Sequence, residues 1–204
     1  MYALKQMEDF CVLGVDLAGA PHRPTGICLL RGLKGTTFLL YSDEEILEYA
    51  EKEKPALVAI DAPLHLPPGR KSINDRNDVH FRPCDEELRR KKIRFFPITL
   101  GPMRMLTERG IRLKAALKTK RFRSVEIYPG GAQDIWGIPR AKNDLQELRR
   151  QLQRLGIKGL KKEISSHELD AATGALVGLL FLQDKAEVYG DFSSGAIIMP
   201  PPST

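Results

Sequence analysis

Cysteine is scarce: Cys11, Cys28 and Cys84 are three in 204 residues, an odd number with no paired spacing. That argues against a disulfide-stapled secreted domain and predicts free thiols in a reducing, cytoplasmic compartment. Long apolar runs are missing too. The longest near the N-terminus is about ten residues and is broken by Asp16, too little for a signal core or a membrane span. No G-x-G-x-x-G and no phosphate-cradling P-loop occurs, which removes the Rossmann and P-loop nucleotide folds. His65, His80, Cys84 and Asp85 fit no standard zinc spacing. Acids are nearly absent from one stretch. Between residues 89 and 123 stand thirteen Lys and Arg against Glu108 alone, so this segment carries +12 of a chain whose total is +6, and the remainder is −6. Such segregation suits a phosphate backbone on one side and a cation-binding acidic site on the other; solvated helix faces are the plainer account.

What is present describes a globular chain. With 42% hydrophobic and 28% charged residues it can build one sizeable core. A single domain is expected over 1–199, with the Pro-rich end, 200–204, as a disordered tail. The first apolar segment, about 10–18, is followed by the short turn "GAPHRP" and a second strand at about 25–31, which must then run antiparallel. "GLKG" turns into a third strand, and Ser42 with Glu45 has the spacing of a capping box opening a helix to about 53. A helix at this point lets the fourth strand, about 56–61, lie parallel to the first. Residues 62–82 form a long loop without periodicity, of the kind that is usually functional. Helices are expected near 84–93, 102–118, after "GG" at 130–131, near 142–155 and over 165–183, with a fifth strand near 123–129.

Two of these strands end on an aspartate. "VLGVDLAG" carries Asp16 and "ALVAIDAPL" carries Asp61, each after a run apolar on both parities. An unpaired carboxylate in such a place costs several kcal/mol unless a cation or hydrogen-bond donors meet it. Adjacent strands lie about 4.8 Å apart, so carboxylates at neighbouring strand ends can share a divalent ion. Phosphodiester cleavage commonly uses two such ions. Glu126 in "SVEIYP", near the end of strand five, and Asp170, in the first turn of an almost wholly apolar helix, complete a candidate metal set of Asp16, Asp61, Glu126 and Asp170. Each has a structural alternative: Asx turns for Asp16 and Asp61, an ion pair with Arg123 for Glu126, the helix dipole for Asp170. Arg70, Lys71, Arg76 and Arg82 in the long loop, with Arg104, Arg112 and Lys118 on the basic helix, are candidate phosphate contacts or solvated charges.

The segments "GVDLAG", "VAIDAPL", "RPCDEELRR", "FFPITLGPM", "VEIYPG" and "HELDAATGAL" resemble, in order over about residues 11–199, those of the predicted nucleases of ribonuclease H fold catalogued as domain of unknown function 429. The resemblance implies an α/β, ribonuclease H-like fold: a five-stranded mixed sheet of order 3-2-1-4-5 with helices on both faces. It also implies metal carboxylates at Asp16, Asp61, Glu126 and Asp170. "HELDA" is similar to the last acidic motif of Holliday-junction resolvases, in which a histidine just before the aspartate assists the chemistry; His167 stands at that place, where an exposed first-turn residue is the alternative.

The expected function is hydrolysis of nucleic-acid phosphodiester bonds with Mg²⁺ or Mn²⁺. Two other readings stand beside it. One is a non-catalytic nucleic-acid-binding module with a structural ion. The other is an actin-like or sugar-kinase-like phosphotransferase, disfavoured because "GAPHRP" replaces the glycine-rich phosphate loop. No membrane partner is expected, and both a monomer and a homodimer are compatible with the sequence.

Overall fold

The structure, a computed structural model, describes residues 10–202. Its frame is a mixed sheet of seven strands: β1 (Cys11–Asp16), β2 (Thr25–Arg31), β3 (Lys34–Leu40), β4 (Leu57–Asp61), β5 (Ser124–Ile127), β6 (Glu187–Asp191) and β7 (Gly195–Met199). Their order is β3-β2-β1-β4-β5-β7-β6. The expected 3-2-1-4-5 core is present, with β1, β4 and β5 parallel. The sheet is not five-stranded, however. An antiparallel β6–β7 hairpin extends it, β7 lying parallel to β5. Pro200 is buried at the end of β7, Pro201 and Pro202 are exposed, and the last two positions of the expected tail lie outside the described residues.

Among the described residues six helices cover the sheet: α1 (Asp43–Glu53), α2 (Pro83–Arg90), α3 (Gly101–Thr119), α4 (Pro129–Ile135), α5 (Leu145–Arg154) and α6 (Ser166–Leu182). Both expected capping boxes form, Ser42 with Glu45 and Ser165 with Glu168. Each satisfies first-turn N–H groups that would otherwise lack partners.

Strand alternation sorts side chains between two cores. Val12, Leu57, Ala59, Val125 and Ile127 meet α6, together with Ala132 of α4 and Leu148 and Leu152 of α5. Leu13, Val15, Val58 and Ile60 face the other way, onto Ile46 of α1 and Leu113 and Leu117 of α3. A third cluster joins Cys84 and Leu88 of α2 to Tyr189, Ile197 and Met199 at the hairpin end. α6 is apolar all round because it lies on the sheet beneath α4 and α5. It also lies very close. A Cβ on Gly14 would come within 2.1 Å of the Ala171 carbonyl oxygen, and one on Gly26 within 2.0 Å of that of His167. Those two glycines let the first turns of α6 settle against β1 and β2. Among the described residues no helix is long and apolar enough to cross a membrane.

Candidate functional site

Parity carries the site's geometry. Asp16 follows Val12 and Gly14 onto the α6 face of β1, and Asp61 follows Leu57 and Ala59 onto the same face of β4. The two are register partners at the ends of parallel strands. Gly26 brings the first turn of α6 beside them, so His167 Nδ1 lies 2.6 Å from Asp16 Oδ2. One turn on, Asp170 Oδ1 accepts a 2.7 Å hydrogen bond from Gln133 Nε2 of α4. These side chains line one cleft of about 320 Å³, with Tyr128, Arg140, Lys142 and Ser166 on its remaining walls.

Its electrostatics are those of crowded acids. Burial, then the negative charges of Asp16, Asp170 and Glu126, hold the Asp61 carboxyl well above the ordinary range. Burial, and next the charge of Asp16, push Asp170 up to about 6, against the Gln133 hydrogen bond and the positive His167 and Arg140. His167 is raised, chiefly by its hydrogen bond to Asp16. The Arg140 guanidinium at the rim forms no ion pair with the aspartates of the cleft. It donates to Asp134 at 2.9 and 2.5 Å and to Tyr128 Oη at 3.2 Å.

Glu126 does not join the cluster. Its register partner is Ile60, so it points to the opposite face of the sheet from Asp61. There it is buried, accepts from Leu64 N at 2.8 Å, and receives both terminal nitrogens of Arg82 at 2.7 and 2.8 Å. Arg82 in turn grips Asp85. Glu126 is thus the ion-pair partner of Arg82. Arg123, the partner expected for it from the sequence, stacks on the Phe181 ring instead.

Three of the expected phosphate contacts are likewise occupied. Arg82 is buried in that network. Arg70 is buried and staples its own loop, donating to the carbonyls of Val79, Asp75 and Asn77 at 2.5, 2.7 and 3.1 Å. Arg104 donates to Ile73 O and Asn74 Oδ1. Arg70 and Arg82, committed to carbonyls and carboxylates, have few donors left for a phosphate, whereas Arg104 engages only Nη2. Lys71, Arg76, Arg112 and Lys118 are exposed. The last two stand on α3, which packs on the face away from Asp16, and none of the four lines the cleft. The cations at the cleft, Arg140 and Lys142, come from the loop between α4 and α5, and Gln133 from α4. No period or motif marks them in the sequence; only the fold places them there.

Among the described residues, no three His, Cys, Asp or Glu side chains converge closely enough to hold a metal ion as they stand. The donor chemistry nevertheless fits a hard divalent cation. Asp16, Asp61 and Asp170 offer carboxylate oxygens, and the buried Gln133 Oε1 has no hydrogen-bond partner.

Comparison with known proteins adds a family. A family model described as a protein of unknown function, DUF429, matches residues 14–193. The chain belongs to the DUF429 family. Among solved structures, this DUF429 chain is similar to T. thermophilus RuvC in complex with a Holliday junction substrate, at 14% identity and a TM-score of 0.47, over 85% of this chain and 96% of that one. No curated protein matches it.

Proposed function

We propose that this protein is a divalent-metal-dependent nuclease whose active site is the cleft of Asp16, Asp61, Asp170 and His167. The observation that carries the reading is the crowding of three carboxylates at two adjacent strand ends and one helix start, where burial and the charges of their neighbours penalise the ionised forms of Asp61 and Asp170. A fold gains nothing from such an arrangement unless a cation joins it. Asp16, Asp61 and Asp170 would hold Mg²⁺ or Mn²⁺, which supplies a more acidic water and steadies a leaving oxygen when bound.

The chain's own residues account for the rest. Asp16 fixes His167 through Nδ1, leaving Nε2 to exchange a proton with the attacking water or the departing oxygen. Gln133 orients Asp170. Lys142 supplies positive charge where a phosphate would enter, while Arg140, held by Asp134 and Tyr128, borders the same cleft. Labelled single-stranded, duplex, hybrid and four-way-junction substrates, incubated with Mn²⁺ beside an Asp16→Asn control, test the reading. Cleavage by the wild type that is lost in the variant is expected. Binding without metal-dependent cleavage of any substrate would leave a nucleic-acid-binding module instead.

A further inference from the structure

A second cavity, of about 180 Å³, adjoins the carboxylate cleft, and Asp61 lines both. Its walls are mainly apolar, Ile98, Met103 and Leu106 among them, and Arg82 and Glu126 line it as well. Phe95, Phe96 and Tyr128 also line the cavity, and the same three line a neighbouring groove with Arg89, Arg94, Arg140 and Lys142. The aromatics therefore stand between an apolar hole beside Asp61 and a track of positive charge.

The two phenylalanines differ. Phe95 packs edge-on against Phe81 and joins the α2 core. Phe96 is 68% exposed. A single exposed ring is ordinary on a protein surface, but not one flanked by a cavity and unpaired cations. Among the described residues, neither the Arg94 guanidinium nor the Lys142 ammonium has a hydrogen-bond or ion-pair partner. The backbone carrying Phe96 is fixed to the site, because the Arg94 carbonyl accepts from both Tyr128 Oη and Arg140, at 2.5 and 3.2 Å. The shelf is thus held in place before anything binds.

We propose that this cavity and Phe96 form a subsite for an unpaired nucleobase, which stacks on Phe96 beside Asp61 while Arg94 and Lys142 hold the flanking phosphates. Aromatic rings along a basic groove bind single strands by stacking, and a base within a continuous duplex has no free face to offer. The substrate is therefore a single strand, or a duplex opened at the site. The inference rests on the nuclease reading only in placing the base next to the scissile phosphate.

Binding in chelator separates the two. Oligonucleotides carrying 2-aminopurine are titrated with the full chain as a single strand, as a duplex with one unpaired 2-aminopurine, and as a fully paired duplex. The single strand and the unpaired base should change fluorescence on binding, and the paired duplex should not. Phe96→Ala, at an exposed position where folding is not at stake, should weaken the single strand about tenfold, leave the paired duplex unchanged, and be rescued by Phe96→Tyr. Unchanged single-strand affinity in Phe96→Ala, an equal response from the paired duplex, or no binding of the single strand overturns the subsite. Absence of cleavage with the fluorescence response intact counts against the nuclease reading alone; cleavage that ignores Phe96 counts against the subsite alone.

Discussion

A carboxylate on a strand can face either side of the sheet, and the choice decides whether it can share an ion with its neighbours. Glu126 takes the far side, where Arg82 and Leu64 satisfy it. Removing one partner of a buried ion pair strands the other charge and costs about 3–5 kcal/mol. Glu126→Gln is accordingly expected to lose stability on that scale in urea titrations while keeping the response of the melting temperature to Mn²⁺. A stable Glu126→Gln variant that no longer responds to metal would return Glu126 to the metal set. The sequence shows Val125 and Ile127 on one face and Glu126 on the other. It does not show that Glu126 is level with Ile60 rather than with Asp61. A slip of one residue exchanges the faces, and nothing in a four-residue strand fixes that register in advance. Asp16 and Asp61 were legible because each ends a run apolar on both parities, and Asp170 because it interrupts an otherwise apolar helix. Arg70 and Arg82 misled for a physical reason: a basic residue in a long loop reads as solvated, whereas Arg70 donates to the loop's own carbonyls and Arg82 is buried against Glu126 and Asp85.

At the scale of elements, the docking of α6 on β1 and β2 sets the distance from His167 to Asp16. Gly26→Ala would place a methyl group 2.0 Å from the His167 carbonyl oxygen, so the first turn of α6 must lift. Overpacking of this kind costs about 1–3 kcal/mol, and a small displacement of a reacting group can cost about a hundredfold in rate. The variant should melt lower and lose cleavage out of proportion to the loss of folded protein at the assay temperature. Full activity in the folded fraction would show that α6 does not position the site. Most elements were readable from caps, turns and periodicity, the two capping boxes above all. The β6–β7 hairpin was not. Val188 is 40% exposed while Tyr189 beside it is buried, so β6 shows only a weak alternation at the sheet edge. The partner that gives β7 its place is β5, some seventy residues earlier, by the pairing of Glu126 with Ile197 and Ile127 with Ile198. Local pattern carries no record of such a contact.

At the scale of the whole molecule, the site is a penalty that the rest of the fold must carry when no cation is bound. Asp61 and Asp170 have raised folded values, Asp170 about 6, so their cost is absent below the unfolded value of about 3.9 and grows as pH rises through the folded one. His167 is also raised. Its contribution is complete below about 6.5 and is lost as pH rises through its folded value. All three act in the same direction. The acids with lowered values, Glu45, Asp75, Glu147, Glu168 and Asp191, work the other way, as does His65, which burial and then the charges of Lys114 and Arg82 hold down at about 4; the acids are ionised above about pH 5, and the gain from His65 is complete above about 6.5. In chelator, the melting temperature should therefore fall as pH rises above about 6.5, and excess Mg²⁺ or Mn²⁺ should restore it, by about 2.7 kcal/mol at a hundredfold excess over the dissociation constant. Asp16→Asn has two opposed effects. It weakens the bond to His167, whose side chain is 46% exposed, a loss of at most about 1 kcal/mol. It also removes a charge that repels both Asp61, which is half-buried, and Asp170. The second effect is the larger, so the metal-free variant should melt above the wild type at neutral pH and gain nothing from added metal. If instead it melts lower in chelator, the aspartate is a structural partner of His167, and the crowded carboxylates are not a site waiting for an ion.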